Sequence, residues 1–392
     1  MKQLELQFDT HAPSLTTLFS SFFVTGTTSF GGPPMVAYIR TMVVEEKKWL
    51  DEASFQDGVV LCQMIPGIIT MQTAAYVGLR LRGMAGAAAS FLGFGSPAFL
   101  FMMLLSALYV RTYTLPAVVS AFQGLQAVIV ALVAHATVSY GKTSLKNLRD
   151  TIIAAVAAGM FGAGVHPILV IVLAALLGFL LYQRETPLLT GASPSAFSRS
   201  SASFVSLLLI SAAAFAFLFI AQRSLFTLAS LMVKITLFAF GGGFTALPLM
   251  FHEVVKMHSW MDAQTFLNGI AIGQITPGPI MLTATFVGYF LYGPLGGCIA
   301  TIGIFLPSFL IITGIVPYYD RLRASPHFAK TMRGILCSFV GLLLSVTIHF
   351  AQNIPWDIPR ILLAGAAFGA LLLRVEIIWV VLAGTIISVL AL

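Results

Sequence analysis

Gln63-Met64-Ile65-Pro66-Gly67 interrupts one apolar run of this chain, and Gln274-Ile275-Thr276-Pro277-Gly278-Pro279 interrupts another about 210 positions later. The same spacing joins Phe30-Gly31-Gly32 to Phe240-Gly241-Gly242, and Trp49-Leu50-Asp51 to Trp260-Met261-Asp262. It continues through Met71/Met281, Thr73/Thr283, Gly78/Gly288, Gly86/Gly296 and Pro97/Pro307. Two apolar halves, each broken at matching places, indicate a membrane protein built from an internal repeat. Interrupted backbone at membrane depth is tolerated only where it lines a cavity, so the breaks mark the candidate site of a secondary transporter.

Composition agrees. Of 392 residues, 58% are hydrophobic and 9% charged, against about 25% charged in soluble domains. Apolar stretches recur to Leu392 and leave no room for a soluble domain. The net charge of +7 comes from basic residues that sit mostly in short loops. There they set orientation, so nucleic acid is not an expected partner. Cys62, Cys298 and Cys337 are scattered and read as packing residues, and the seven histidines lack metal-ligand spacing, so neither metal nor cofactor is expected. Residues 1–13 lack the basic start and cleavage site of a signal peptide.

Thirteen apolar segments can be marked out. Six fall in each half, and the extra one, 204–221, follows a Ser/Thr/Pro-rich stretch at 183–203. The expected organisation is a first membrane repeat at 1–183, a linker with one extra helix at 184–224, and a second repeat at 225–392. The fold class is an all-α integral membrane protein of about thirteen transmembrane helices, in two inverted-topology repeats joined by that linker helix, with Pro-Gly-broken helices.

Two topologies compete for the Pro-Gly segments. If each spans the membrane as a broken helix, fourteen Lys and Arg lie on the side of the N-terminus and six opposite. If each is a re-entrant hairpin, with the rest unchanged, the split is eight against twelve. The positive-inside rule favours spanning, with the N-terminus cytoplasmic and the C-terminus outside. The loop of Arg40, Lys47 and Lys48 dissents, because it would lie outside. Loop charge also swaps between halves. Arg80 and Arg82 face an uncharged counterpart around Tyr292, whereas the loop of Arg111 faces one with Arg321, Arg323, Lys330 and Arg333.

The chemistry expected of the breaks is anion binding. Proline removes a backbone donor, glycine weakens the helix, and the resumed helix presents free N–H groups at the positive end of its dipole. The candidate pathway residues are Gln63, Pro66, Gly67 and Thr73 in the first half, and Gln274, Thr276, Pro277, Gly278 and Thr283 in the second. The Gly31-Gly32 and Gly241-Gly242 pairs are read with equal weight as interrupted helices or as surface turns. Lys234, inside an apolar segment, is a candidate anion attractor or proton carrier, or a snorkelling residue near the helix end. Asp51 and Asp262, each two residues after a Trp, read as helix starts at the interface. With no GxxxxGK[ST] loop, nucleophile elbow or HExxH, no enzyme activity is expected.

At these residues the chain resembles the chromate ion transporter family in its long, two-domain form. The motifs that carry the resemblance are Phe30-Gly31-Gly32-Pro33, Glu46-Lys47-Lys48-Trp49-Leu50 and Gln63-Met64-Ile65-Pro66-Gly67 in the first half. Phe240-Gly241-Gly242-Gly243, Gln274-Ile275-Thr276-Pro277-Gly278-Pro279 and Phe286-Val287-Gly288-Tyr289 carry it in the second. The resemblance implies a bacterial inner-membrane protein that exports chromate and confers resistance, with sulfate as a competing analogue. The expected partners are therefore chromate and sulfate, the lipid bilayer, and a second copy of the chain as a candidate homodimer partner. A sulfate or oxyanion importer and a passive anion channel are the alternatives.

Overall fold

The computed structural model describes residues 13–30, 34–182, 201–316 and 325–391. The expected sites Gly31 and Gly32, and the 183–200 part of the linker, lie outside them. Fifteen helices make up the described residues. Those of the first half are α1 (Leu15–Thr28), α2 (Pro34–Arg40, prolonged by a π-helix over Thr41–Glu46), α3 (Glu52–Met64), α4 (Ile69–Thr112), α5 (Pro116–Ser144), α6 (Leu148–Gly162) and α7 (Pro167–Leu181). The extra helix α8 (Ser201–Ala221) follows. The second half has α9 (Arg223–Phe238), α10 (Ala246–Phe251, prolonged by a π-helix over His252–Met257), α11 (Ala263–Ile275), α12 (Thr283–Ile315), α13 (Pro326–Gln352), α14 (Ile358–Leu372) and α15 (Ile377–Ala391).

The Pro-Gly segments double back; they do not span. A Cβ on Gly58 would lie 2.1 Å from the Tyr76 ring, and the Tyr76 hydroxyl donates to the Ser54 carbonyl at 3.2 Å. A continuous helix would hold residues 58 and 76 about 27 Å apart at 1.5 Å per residue, so α3 and the start of α4 are the two arms of a hairpin. Gly269 meets the Phe286 ring in the same way in the second half. The cause is local: Gly67 has φ +128° and Gly278 φ +112°, values that reverse the chain and that residues with a Cβ rarely adopt. The Phe-Gly-Gly break is a second hairpin of the same kind. Gly241 and Gly242 have φ +84° and +114°, and Lys234 of α9 reaches Glu253 beyond α10.

Long helices α4 and α12 each fold sharply. Arg82-Gly83 and Tyr292-Gly293 leave helical geometry with nearly the same angles, and Gly78/Gly86 and Gly288/Gly296 let the arms touch. Residues 84–112 and 294–315 then run on as full-length helices. Four of the thirteen apolar segments (15–30, 54–80, 225–240 and 265–291) are thus hairpin arms. Among the described residues the other nine are those two with α8, α5 and α13, which are long and apolar enough to cross a membrane, and the 15-residue α6, α7, α14 and α15. Fifteen residues give about 22 Å, short of a ~30 Å hydrocarbon core.

The halves run antiparallel. Phe91 packs on Phe305 and Phe309 while Met103 fills the space over Gly297, so 84–112 and 294–315 lie in opposite senses. Thr137 and Thr347, 210 positions apart, meet hydroxyl to hydroxyl at 3.3 Å near the middle of the relation. The long arms are exchanged: α5 packs on α14 and α15 of the other half, and α13 packs on α6 and α7. In the first exchange the Gly124 N–H donates to Ser388 Oγ at 3.0 Å. In the second, Gly334 and Gly178 touch backbone to backbone.

Two faces follow from this path. Pro13, whose carbonyl accepts from Arg82, Asp51, Lys146 and Arg333 lie at the near face. Tyr109, bonded to Asn268, with His166 and Arg360, lies at the far face. Asp51 and Asp262 cap α3 and α11, accepting the Ser54 N–H at 2.8 Å and the Thr265 N–H at 2.6 Å. The Ser54 backbone N–H is the largest influence holding the Asp51 carboxyl below its ordinary range. Its contribution is therefore complete above the unfolded value of about 3.9 and lost as pH falls through the folded one. Asp51→Ala is expected to lower stability by about 1 kcal/mol at neutral pH. That difference should fade as the pH falls through the lowered folded value, as thermal unfolding in detergent at a series of pH values would show.

Candidate functional site

A cavity of about 1120 Å³ enters from the near face between α2, α3, the end of α5 and the start of α13. Its lining carries Arg40, Lys146 and Arg333 and no acidic residue. Arg40 is held by Glu45 at 2.5 Å and Glu52 at 2.7 Å, and Arg333 by Asp150 at 2.9 Å. The inner end is formed by Gln63, Ile68–Thr70 at the start of α4, Gly241–Phe244 before α10, and Pro279–Ile280 before α12. Three chain segments therefore turn the beginnings of helices toward one space, where positive dipole ends gather.

The tips of the hairpins are tied across the two halves. The Gly67 N–H donates to the Ala239 carbonyl at 2.8 Å, and the Gly278 N–H to the Ser29 carbonyl at 3.0 Å. Each Pro-Gly tip is thus pinned to the residue that precedes the Phe-Gly-Gly break of the opposite half. The Ile68 N–H donates to Ser308 Oγ at 3.0 Å, and Gln72 Nε2 to the Pro66 carbonyl at 2.8 Å. Tyr140 donates its hydroxyl proton to the Gly241 carbonyl at 2.8 Å.

The expected site residues separate into three groups. Gln63, Gly241 and Gly242 line the cavity, and Pro66, Gly67, Pro277 and Gly278 form the tips at its end. Thr73, Thr276 and Thr283 do not reach it: their hydroxyls donate to the carbonyls of Ile69, Gly273 and Ile280 in their own helices. This is the usual fate of a threonine in an apolar helix. Gln274 is buried away from the cavity, its Nε2 without a partner among the described residues. Lys234 also lies outside it, in an ion pair with Glu253 at 2.6 Å. Tyr140, Lys146, Arg333 and Ser308 were missed. Only Ser308 carried a signal, following the duplicated Pro307 as Ala98 follows Pro97.

On the far side, the image of the cavity is shut. Where the near side has Arg40, Phe55 and Tyr140, the other half has Phe251, Phe266 and Phe350. These three rings are buried and pack together with centroids 5.1–6.4 Å apart. The other two bases are replaced as well, Lys146 by Trp356 and Arg333 by Gln123.

Residues 16–179 and 226–389 match the chromate transporter family, once in each half. The chain belongs to that family. It is 41% identical over 382 residues to an uncharacterized transporter of Methanocaldococcus jannaschii, covering 97% of this chain and 95% of the relative. The chromate transport protein of Pseudomonas aeruginosa is 29% identical over 374 residues, 91% of this chain and 86% of its own length. That of Cupriavidus metallidurans is 27% identical over 355 residues, 90% and 86%. No solved structure matches. As a member of the chromate transporter family, with several helices long and apolar enough to cross a bilayer, the chain is a multi-pass membrane protein.

Proposed function

We propose that this protein exports chromate from the cytoplasm, holding the dianion at the inner end of the near-face cavity between Gln63, the start of α4 and the glycines before α10. The observation that carries this reading is a cavity lined by three bases, with the acids that pair Arg40 and Arg333 set behind the lining, and by converging helix starts. Such a lining concentrates an anion and holds it through backbone N–H groups.

Orientation follows from charge. Among the described residues Arg40, Lys47, Lys48, Arg80, Arg82, Lys142, Lys146, Arg149, Lys330, Arg333 and Arg374 fall toward the near face. Only Arg111, Arg223, Lys256 and Arg360 fall toward the far one. Eleven against four supports a cytoplasmic near face by the positive-inside rule. With two hairpins in each half, the loop of Arg40, Lys47 and Lys48 no longer dissents. Export is then supported twice. The cavity captures anions on the cytoplasmic side, and its far-side image lacks the bases that would retain them. The driving force is the membrane potential: with the cell interior negative, two negative charges moving out release about 4.6 kcal/mol per 100 mV, at ~2.3 per charge. The packed Phe251, Phe266 and Phe350 favour a carrier over an open channel.

Radiolabelled chromate uptake into everted membrane vesicles tests the proposal. Saturable uptake that grows with an imposed potential and is inhibited by sulfate is the expected result; uptake no greater than in empty vesicles would remove chromate as the substrate. In the same assay Lys146→Gln, at the exposed mouth, should raise KM on the order of 3-fold with little change in kcat. The effect should fade as salt is added.

A further inference from the structure

Gln63 and Gln274 are the same side chain of the two repeats in two different settings. Gln63 is exposed in the near-face cavity. Gln274 is 5% exposed, and its Nε2 has no hydrogen-bond partner among the described residues. A buried amide donor without an acceptor is costly, and native folds keep few of them. Elsewhere on α11 partners are found: Asn268 accepts from Gln126 Nε2 at 2.9 Å and donates to the Tyr109 hydroxyl at 3.0 Å. Methionine, of nearly the same shape, would fill the place of Gln274 with nothing left unpaired. Packing therefore does not account for the amide. The helix face that carries it has a counterpart in use. Phe55, Val59 and Gln63 stand four residues apart on one face of α3, and all three line the cavity. Phe266, Ile270 and Gln274 repeat that face on α11. Its outer end is closed by the packing of Phe266 on Phe251 and Phe350, with centroids 5.6 and 6.4 Å away. Its inner end adjoins the near cavity. A Cβ on Gly273 would lie 4.0 Å from the Ile280 carbonyl oxygen, and Ile280 is itself a lining residue.

We propose that Gln274 is the exit-side ligand of the transported dianion: its amide N–H takes an oxygen of the anion as the anion leaves Gln63 and the converging helix starts. Entry and exit are then two uses of one duplicated helix face. In the structure the near cavity is open and the three phenylalanines are closed. Parting Phe251, Phe266 and Phe350 would uncover the face of α11 as that of α3 is uncovered now, with Gln274 as the polar side chain at its bottom. A neutral amide suits this step. It donates to an oxyanion without the strong retention that a fixed cation would bring, and the far side has exchanged its bases in the same sense, with Trp356 for Lys146 and Gln123 for Arg333. Thr276 and Thr283 close by donate their hydroxyl protons to helix carbonyls, so they do not take up this role.

This inference rests on the near-face cavity being the chromate site, and the experiment separates the two ideas. Full-length Gln274→Met and Gln63→Met proteins would be compared with the wild type by thermal unfolding in detergent and by chromate transport in everted vesicles. Gln274→Met should raise Tm by about 2 °C, because an unpaired buried donor is gone, yet lower kcat roughly tenfold with KM nearly unchanged. Gln63→Met should instead raise KM roughly tenfold and leave Tm as it is. In right-side-out vesicles, without any anion, Gln274→Cys should react with a membrane-impermeant maleimide above the wild-type background. A Gln274→Met protein with wild-type turnover would overturn the proposal, and so would a Gln274→Cys protein that resists the maleimide. Labelling of Gln274→Cys, together with a wild type that neither binds nor carries chromate, would keep Gln274 on the exit and remove chromate as the cargo.

Discussion

Alanine at both Gly67 and Gly278 is expected to abolish chromate transport while the protein still inserts. Both positions have strongly positive φ, where a residue with a Cβ is strained by about 1–3 kcal/mol. Space is a second obstacle. A Cβ on Gly67 would lie 2.5 Å from Gln72 Nε2 and 2.6 Å from Ser308 Oγ, and one on Gly278 would lie 2.3 Å from Ala98 Cβ. The tips must move to admit either methyl group, and moving them breaks the bonds to Ala239 and Ser29 that align them. A misplacement near 1 Å is enough to spoil a positioned site. The crossing helices carry the apolar surface that drives insertion and are untouched. Vesicle transport and size-exclusion profiles of the solubilised variant would check this. Normal transport by a monodisperse double variant would show that the tips are not the site.

The largest stability effect is expected at Asp150. Its side chain is fully buried and accepts from Arg333 Nε at 3.1 Å and Nη2 at 2.9 Å. It also accepts from the N–H groups of Lys146 and Asn147 at 2.8 and 3.1 Å and from the Tyr182 hydroxyl. It therefore ties α13 of the second half to α6 and α7 of the first. Removing one partner of a buried, hydrogen-bonded pair leaves a charge uncompensated, at about 3–5 kcal/mol. Asp150→Ala should lose that much in unfolding experiments in mild detergent. Its counterpart contact, Arg360 Nη2 to Gln123 Oε1 at 2.9 Å, is a weaker link, and Gln123→Ala should lose only about 1–2 kcal/mol. Equal losses at the two positions would mean that the pair has no special structural weight.

Much of this architecture was legible because the chain states it twice. The duplication exposed the repeats, the breaks and the caps Asp51 and Asp262. Hairpins could not be told from kinks, since Pro-Gly serves both. What decides is the sign of φ at Gly67 and Gly278, and that is tied to partners from the other half, Ala239 and Ser29. Counting charges misled for the same reason: with one hairpin per half the basic residues scatter, and with two they gather on one face. Threonines near the breaks looked like ligands because a hydroxyl in an apolar run draws attention; the nearest acceptor, their own helix carbonyl, satisfies them. Tyr140, Lys146 and Arg333 reach the cavity from α5 and α13, whose exchange between halves leaves no local mark in helices this uniformly apolar.

That exchange also sets an order of events at the ribosome. Until residues 358–391 have been made, α5 has no α14 and α15 to lie against, so a long apolar face waits while more than two hundred further residues are added. Neither half is a finished unit, and a chain truncated before its last two helices would leave the membrane with an unmade seam in the first half as well as the second. Premature stops late in the gene should therefore be as damaging to quality control as early ones.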